Sequence, residues 1–474
     1  MHTHEAGALH AEAGQRRHPS WLRIPEDVNA LYPGLWSATV MRGDDGALRV
    51  AGIDVRALAA EHGTPVYVLD ELDFRSRARA FRDAFSGAFA AIDGGADVYY
   101  AGKAFLCTAV ARWIAEEGLN LDVCSGGELA VALRAGFPVE RIGLHGNNKS
   151  VAELSRAVDA GIGRIIVDSF DEISRLGSIA EERGVRVPVM LRTTVGVEAH
   201  THEYIATAHE DQKFGFSIAG GAAAQAVRRI LAEPSLELIG LHSHIGSQIY
   251  DTSGFEVAAR RVLGLHAEIR DEHGVELAEL DLGGGFGIAY TSQDDPQPAE
   301  DLAAGMAAIV QHECAGYGLA VPRISIEPGR AIAGPSTFTL YEVGTIKAVE
   351  LDGGAVRRYV SVDGGMSDNI RTALYDADYS CTLASRRSEA EPVLARVVGK
   401  HCESGDIVVR DEFLPADVEP GDLIAVPGTG AYTRSMANTY NHVPRPPVVA
   451  VHAGESRVIV RRETEDDLLT LDVG

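Results

Sequence analysis

The stretch Arg164-Ile165-Ile166-Val167-Asp168-Ser169-Phe170-Asp171-Glu172-Ile173-Ser174-Arg175-Leu176-Gly177-Ser178-Ile179-Ala180-Glu181-Glu182-Arg183 holds a complete βα unit. Its first four residues after Gly163 form a short run rich in β-branched side chains, the mark of a buried strand. Past Asp168, Ile173, Leu176, Ile179 and Ala180 recur at the three- and four-residue spacing of an amphipathic helix. One such unit cannot bury both faces of its strand, so the question is how often it repeats.

Working outward, the pattern recurs roughly eight times between about Glu61 and Arg330. Strands are expected at Asp97–Tyr100, Leu119–Val123, Ile142–His145, Arg164–Asp168, Pro188–Thr193, Leu238–His244, Glu279–Gly283 and Arg323–Glu327. Helices are expected at Gly126–Ala135, Val151–Ala160, Asp171–Arg183, Phe255–Asp271 and Ala299–Gly316. Eight βα units imply a (β/α)8 or TIM barrel. A doubly wound open sheet would set its ligand glycines after the first strand, whereas the glycine clusters here come late.

After Gly334 the texture changes to β-rich runs split by Gly, Pro and Asp: Thr337–Val343, Arg358–Val362, Val393–Val398, Asp406–Arg410, Asp422–Val426 and Val448–Val451. This reads as a second, all-β domain of barrel or sandwich type. Ala38–Val55, turning at Gly43-Asp44-Asp45-Gly46, reads as a hairpin of the same domain, which would then be built from both chain ends. The expected division is a disordered tail over 1–20, N-terminal strands over 21–60, the barrel over 61–334 and the C-terminal β domain over 335–474.

A chain of 474 residues exceeds one ordinary core and favours two domains. The formal charge, 43 − 68 = −25, would repel phosphate backbones, so no nucleic-acid partner is expected. No apolar run is long enough to span a bilayer, and Met1–Ser20 lacks the apolar stretch of a signal peptide. Cys107, Cys124, Cys314, Cys381 and Cys402 form no CxxC pair, which fits a reducing cytoplasm and signals neither disulfide framework nor zinc.

The ends of barrel strands point into one mouth, so polar residues there are the candidates for a site. Tyr99-Tyr100-Ala101-Gly102-Lys103 sets a lysine just past an apolar strand, where it can form a Schiff base; alone it reads first as a solvated loop lysine, and its neighbours must decide. In Leu241-His242-Ser243-His244-Ile245-Gly246-Ser247, alternation sends both histidines to one side. They can be core groups or metal ligands, but no further ligand stands at HExxH-like spacing, so no metal is expected and stacking on an aromatic cofactor fits better. Asp281-Leu282-Gly283-Gly284-Gly285-Phe286-Gly287 offers a turn whose amides can face an anion, although glycines also serve close packing. Ile326-Glu327-Pro328-Gly329-Arg330 adds a carboxylate and a guanidinium, which alone can be a local ion pair. Jointly these groups match the needs of a pyridine aldehyde phosphate.

With those residues in view, the sequence resembles the fold-type III pyridoxal-phosphate (PLP) decarboxylases. Gly364-Gly365-Met366-Ser367-Asp368-Asn369-Ile370-Arg371, Tyr375, Cys402-Glu403-Ser404-Gly405-Asp406 and Gly430-Ala431-Tyr432 are similar to the motifs of the diaminopimelate decarboxylase branch. The related ornithine decarboxylases carry aspartate where Glu403 follows Cys402. The resemblance spans about Pro33 to His452.

The resemblance implies that Lys103 holds the cofactor as a Schiff base and moves protons once the substrate amine displaces it. His244 would stack on the ring and Glu327 would pair with its nitrogen. Ser247, Gly284, Gly285, Gly329, Arg330 and Tyr432 would surround the phosphate. Arg330, Arg371, Tyr375 and Tyr432 would hold a distal carboxylate, Glu403 a distal ammonium, and Cys402 would donate a proton to the carbanion. The implied reaction is decarboxylation of meso-2,6-diaminoheptanedioate to L-lysine and CO2, in a homodimer whose Cys402–Glu403 segment completes the neighbouring subunit's site. Thr194–Gly215 resembles the family's loop after the fifth strand, a candidate lid. Two departures, Thr193-Thr194 after Arg192 and Thr372 in place of proline, touch none of these groups.

Overall fold

The computed structural model describes residues 18–196, 213–350 and 356–474. The tail expected at 1–20 therefore lies almost wholly outside the described residues, as does most of the Thr194–Gly215 loop. The chain forms two compact units, one from Arg75–Gly287 and Pro296–Ile332, the other from the residues up to Phe74 with Ile288–Asp295 and Ala333–Gly474.

The first unit is a closed barrel of eight parallel strands: β1 (Gly95–Ala101), β2 (Asn120–Val123), β3 (Ile142–Leu144), β4 (Arg164–Val167), β5 (Val187–Thr194), β6 (Leu236–Ser243), β7 (Glu279–Gly284) and β8 (Arg323–Glu327). Each pairs in parallel with the next, and β8 closes on β1 with Ile324 opposite Ala96. All eight coincide with the runs expected from sequence to within a few residues. Strands such as β4 are buried along their whole length because helices cover one face and the barrel core the other.

The helices begin where side chains satisfy their free amides. Ser125 and Ser169 accept from the backbone amides of Glu128 and Glu172, and Ser150 with Glu153 makes a reciprocal capping box. The helix Phe170–Arg183 stops at Gly184, whose φ of 63° suits a residue without a Cβ. No helix among the described residues is long and apolar enough to cross a membrane.

The second unit is sheet-rich and draws on both ends of the chain. Its long strand Thr337–Glu350 pairs with Val66–Asp70, with Val356–Val362 and with Leu423–Pro427, while Val448–His452 lies parallel to Val66–Asp70. Val66, Val68, Phe338, Leu340, Ala425 and Val449 form its core. The hairpin region appears as a small three-stranded sheet of Met41–Arg42, Leu48–Val50 and Ile53–Asp54. Val66–Asp70 belongs to this unit and not to the barrel expected from residue 61 onward, because four apolar residues in a fully buried strand look alike in either setting.

Candidate active site

The C-terminal ends of the barrel strands surround a cavity of about 320 Å³ lined by Lys103, Asp122, His145, Arg192, His244 and Glu327 among others. Each lining group comes from a different strand end, so the barrel's closure alone brings together residues more than 200 positions apart. Lys103 stands two residues past β1. Glu327 ends β8 and is 7% exposed. Its Oε1 is 2.9 Å from His242 Nε2, at the end of β6, and 3.4 Å from His145 Nε2. The two imidazoles meet edge to face, with centroids 5.2 Å apart.

Burial pushes the Glu327 carboxyl up, against the pull of His145 and Lys103. It drives His145 down to about 4 and His242 and His244 well below the ordinary imidazole value, so all three rings are neutral at pH 7. A neutral ring suits stacking. His244 is oriented by Gly284, whose amide donates to its Nδ1 at 3.3 Å.

The glycine turn after β7 is shaped by its neighbours. A Cβ on Gly284 would lie 2.2 Å from the Glu327 carbonyl oxygen, and one on Gly285, at φ 101°, would lie 2.3 Å from that of Gly246. Two backbone loops thus approach as closely as glycine allows. Beside them Arg330 Nη2 donates to Ser247 Oγ at 2.9 Å. Gly329 admits the close passage of β1, since its Cβ would meet the Ala101 carbonyl oxygen at 2.9 Å. The turn, the guanidinium and the hydroxyl offer an anion site, and Lys103, His244 and Glu327 offer an amine, a flat ring and a buried acid. This set fits a flat aromatic aldehyde that carries a phosphate.

Sequence reasoning passed over Asp122, Cys124, His145 and Arg192, which also line the cavity. Their signal was present: each is a polar residue at or near the end of an apolar strand. Arg192 Nη1 lies 3.8 Å from Asp168 and its guanidinium stacks at 4.2 Å over Phe214. Cys124 is solvent-exposed. His145, His242 and Glu327 also bring donor atoms within 4.8 Å of one another, a spacing a metal could use. His242 Nδ1, however, has no partner to orient it as a ligand, and its Nε2 is already engaged by Glu327.

In the second unit, Arg371 opens the short helix Arg371–Tyr375 and is 4% exposed. Its guanidinium lies 5.0 Å from the ring centre of Tyr290, 5.8 Å from that of Tyr375 and 5.9 Å from that of Tyr432. Three of the residues singled out in sequence therefore meet there, together with Tyr290, for which the sequence held no signal. Cys402 and Glu403 sit on an exposed loop. Asp406 staples it, accepting from the amides of Met366 at 2.6 Å and His401 at 2.7 Å.

Residues 72–334 match the family pattern described as pyridoxal-dependent decarboxylase, pyridoxal binding domain. The chain is 58% identical over 480 aligned positions to the diaminopimelate decarboxylase of Mycobacterium leprae, covering 100% of both. It is 60% identical to that of Mycobacterium tuberculosis, over 94% of this chain and 98% of the other. Among solved structures, the diaminopimelate decarboxylase of M. jannaschii in co-complex with L-lysine superposes with a TM-score of 0.85 at 32% identity, covering 92% of this chain and 98% of that one. On this evidence the chain belongs to the pyridoxal-dependent decarboxylases and, among them, to the diaminopimelate decarboxylase family.

Proposed function

We propose that this protein decarboxylates meso-2,6-diaminoheptanedioate to L-lysine and CO2, the last step of lysine synthesis, with PLP held in the barrel cavity. The observation that carries the reading is the convergence of Lys103, His244 and buried Glu327 on one cavity beside the Gly284–Gly285 turn. PLP, when bound, supplies an electron sink for the pair left behind as CO2 departs.

The chain's own residues set the rest. Lys103 Nζ anchors the cofactor and is then free to carry a proton. Gly284, Gly285, Gly329, Ser247 and Arg330, with Tyr432, hold the phosphate. His244 supports the ring face, and Glu327 keeps a proton on the ring nitrogen, which maintains the sink. Arg371 with Tyr375 and Tyr432 suits a carboxylate remote from the reacting carbon, since a guanidinium grips it bidentately. Glu403 takes the distal ammonium. Cys402 Sγ delivers a proton to the carbon that lost CO2. Only a substrate anchored at its far end can hold the scissile bond in one orientation, so these distal contacts choose the substrate.

The Cys402–Glu403 loop serves the barrel of a second copy in this reading, which makes the active form a homodimer. A cytoplasmic setting is part of it, supported by five cysteines that are all free thiols. The test is CO2 release from diaminopimelate, ornithine, arginine and lysine by wild type and Lys103→Ala with PLP. Release from diaminopimelate alone, lost in the variant, supports the reading. Turnover of another amino acid only would overturn the roles given to Arg371 and Glu403.

A further inference from the structure

Around Glu327 the cavity wall carries buried charges, Asp122 and His145 among them, that the chemistry above gives no role. Three carboxylates, Asp122, Asp281 and Glu327, are each less than a tenth exposed. Asp281 is neutralised by Arg164, whose Nη2 lies 2.5 Å from its Oδ2. Arg192 faces Asp168. Asp122 and Glu327 share the His145 imidazole: His145 Nε2 is 3.1 Å from Asp122 Oδ1 and 3.4 Å from Glu327 Oε1. Neither Asp122 oxygen makes a hydrogen bond, and neither does His145 Nε2. Gly143 makes room for the carboxylate, since a Cβ there would lie 2.6 Å from Asp122 Oδ1.

Two buried carboxylates bridged by a single ring nitrogen are strongly unfavourable without a proton. We propose that Asp122 and His145 are positioning residues that, with Glu327, store the proton which the cofactor's ring nitrogen takes up on binding. This inference rests on the assignment of Glu327 to that nitrogen. One proton leaves the trio and adds to the ring nitrogen; no bond to carbon changes, and solvent neither gives nor receives a proton.

The surroundings agree with storage on the carboxyl side. Burial pushes Asp122 up to about 7, opposed by Arg164 and Lys103 and aided by Glu128. The same burial disfavours the imidazolium of His145, against the attraction of Glu327 and Asp281. The charged and titratable groups around the trio are Lys103 after β1, Glu128 and Cys124 after β2, Arg164 on β4, Arg192 on β5, His242 on β6 and Asp281 on β7. His242 Nε2 lies 2.9 Å from the same Glu327 Oε1 that His145 approaches, so this oxygen sits between two neutral rings.

The experiment titrates the full-length apoprotein with pyridoxamine 5′-phosphate, which keeps the ring nitrogen and the phosphate but forms no bond to Lys103. Calorimetry in buffers of low and high ionisation enthalpy, at a pH below the Asp122 value of about 7 so that the store is filled, counts the protons exchanged on binding. Wild type, Asp122→Asn and Glu327→Gln are compared, with circular dichroism as the check on folding. Asp122→Asn should take up, net, about one more proton than wild type, because it holds none in store to supply. Should that variant not fold, Asp122→Ser is expected to show the same increase.

Equal proton counts in wild type and folded Asp122→Asn overturn the proposal, since a purely structural aspartate would move the melting point and not the count. If Glu327→Gln leaves both the proton count and the probe's absorbance unchanged, it is the assignment of Glu327 to the ring nitrogen that fails.

Discussion

Replacing Arg164 by methionine tests whether the barrel interior depends on a buried cation. The Arg164 side chain is 2% exposed, yet its guanidinium reaches Asp281 at 2.5 Å, Ser325 Oγ at 3.0 Å and Glu279 at 3.4 Å, and lies 3.6 Å from the centre of the Tyr99 ring. Methionine keeps much of the volume and removes the charge. Stranding one partner of a buried pair costs about 3–5 kcal/mol, which for a barrel-sized domain is a fall in melting temperature of roughly 6–20 °C.

The deficit must also depend on pH. Burial already holds the Asp281 carboxyl up to about 6 with Arg164 in place, above its unfolded value of about 4. The native state therefore binds this proton more tightly than the unfolded state, and stability falls as pH rises through that window. Without Arg164 the upper edge of the window moves higher. Arg164→Met should lose more relative to wild type at pH 8 than at pH 5.5, and Arg164→Met/Asp281→Asn should recover most of the loss. Thermal unfolding followed by circular dichroism at the two pH values reads all three proteins. A variant melting within a degree of wild type, or a deficit indifferent to both pH and the second substitution, would refute the reasoning.

Gly284→Ala places a Cβ 2.2 Å from the Glu327 carbonyl oxygen, so the turn must shift; overpacking of this kind costs about 1–3 kcal/mol, and PLP affinity read from visible absorbance should fall at least tenfold while far-ultraviolet dichroism is kept. Arg371→Lys retains charge but not the planar fork, and KM for diaminopimelate is expected to rise by about tenfold or more with little change in melting temperature. Mixing inactive Lys103→Ala with inactive Cys402→Ala should restore about a quarter of wild-type activity if sites are shared in a twofold dimer, and none if each subunit is self-sufficient.

The barrel was open to reading because its strands announce themselves locally. A run such as Arg164–Val167 followed by helical spacing needs no distant partner to be recognised, and the serine caps at Ser125, Ser150 and Ser169 punctuate the repeats. Lys103, His244, Glu327 and Gly284 were legible for the same reason, as they stand at strand ends in distinctive runs. Val66–Asp70 was not, since its place in the second sheet depends on Thr337–Leu340 and Val448–Val451, both far beyond it in the chain.

The sequence by itself thus determined the eight-fold alternation, the family and the candidate groups at the strand ends, all properties written in short stretches. Only the tertiary structure decided which buried charges face one another: that His145 bridges Asp122 and Glu327, that Arg164 neutralises Asp281, and that Tyr290 joins Arg371. Such pairings depend on distances of 2.5 to 5.0 Å between residues far apart in the chain, and only the closing of the barrel and the pairing of the sheet fix them.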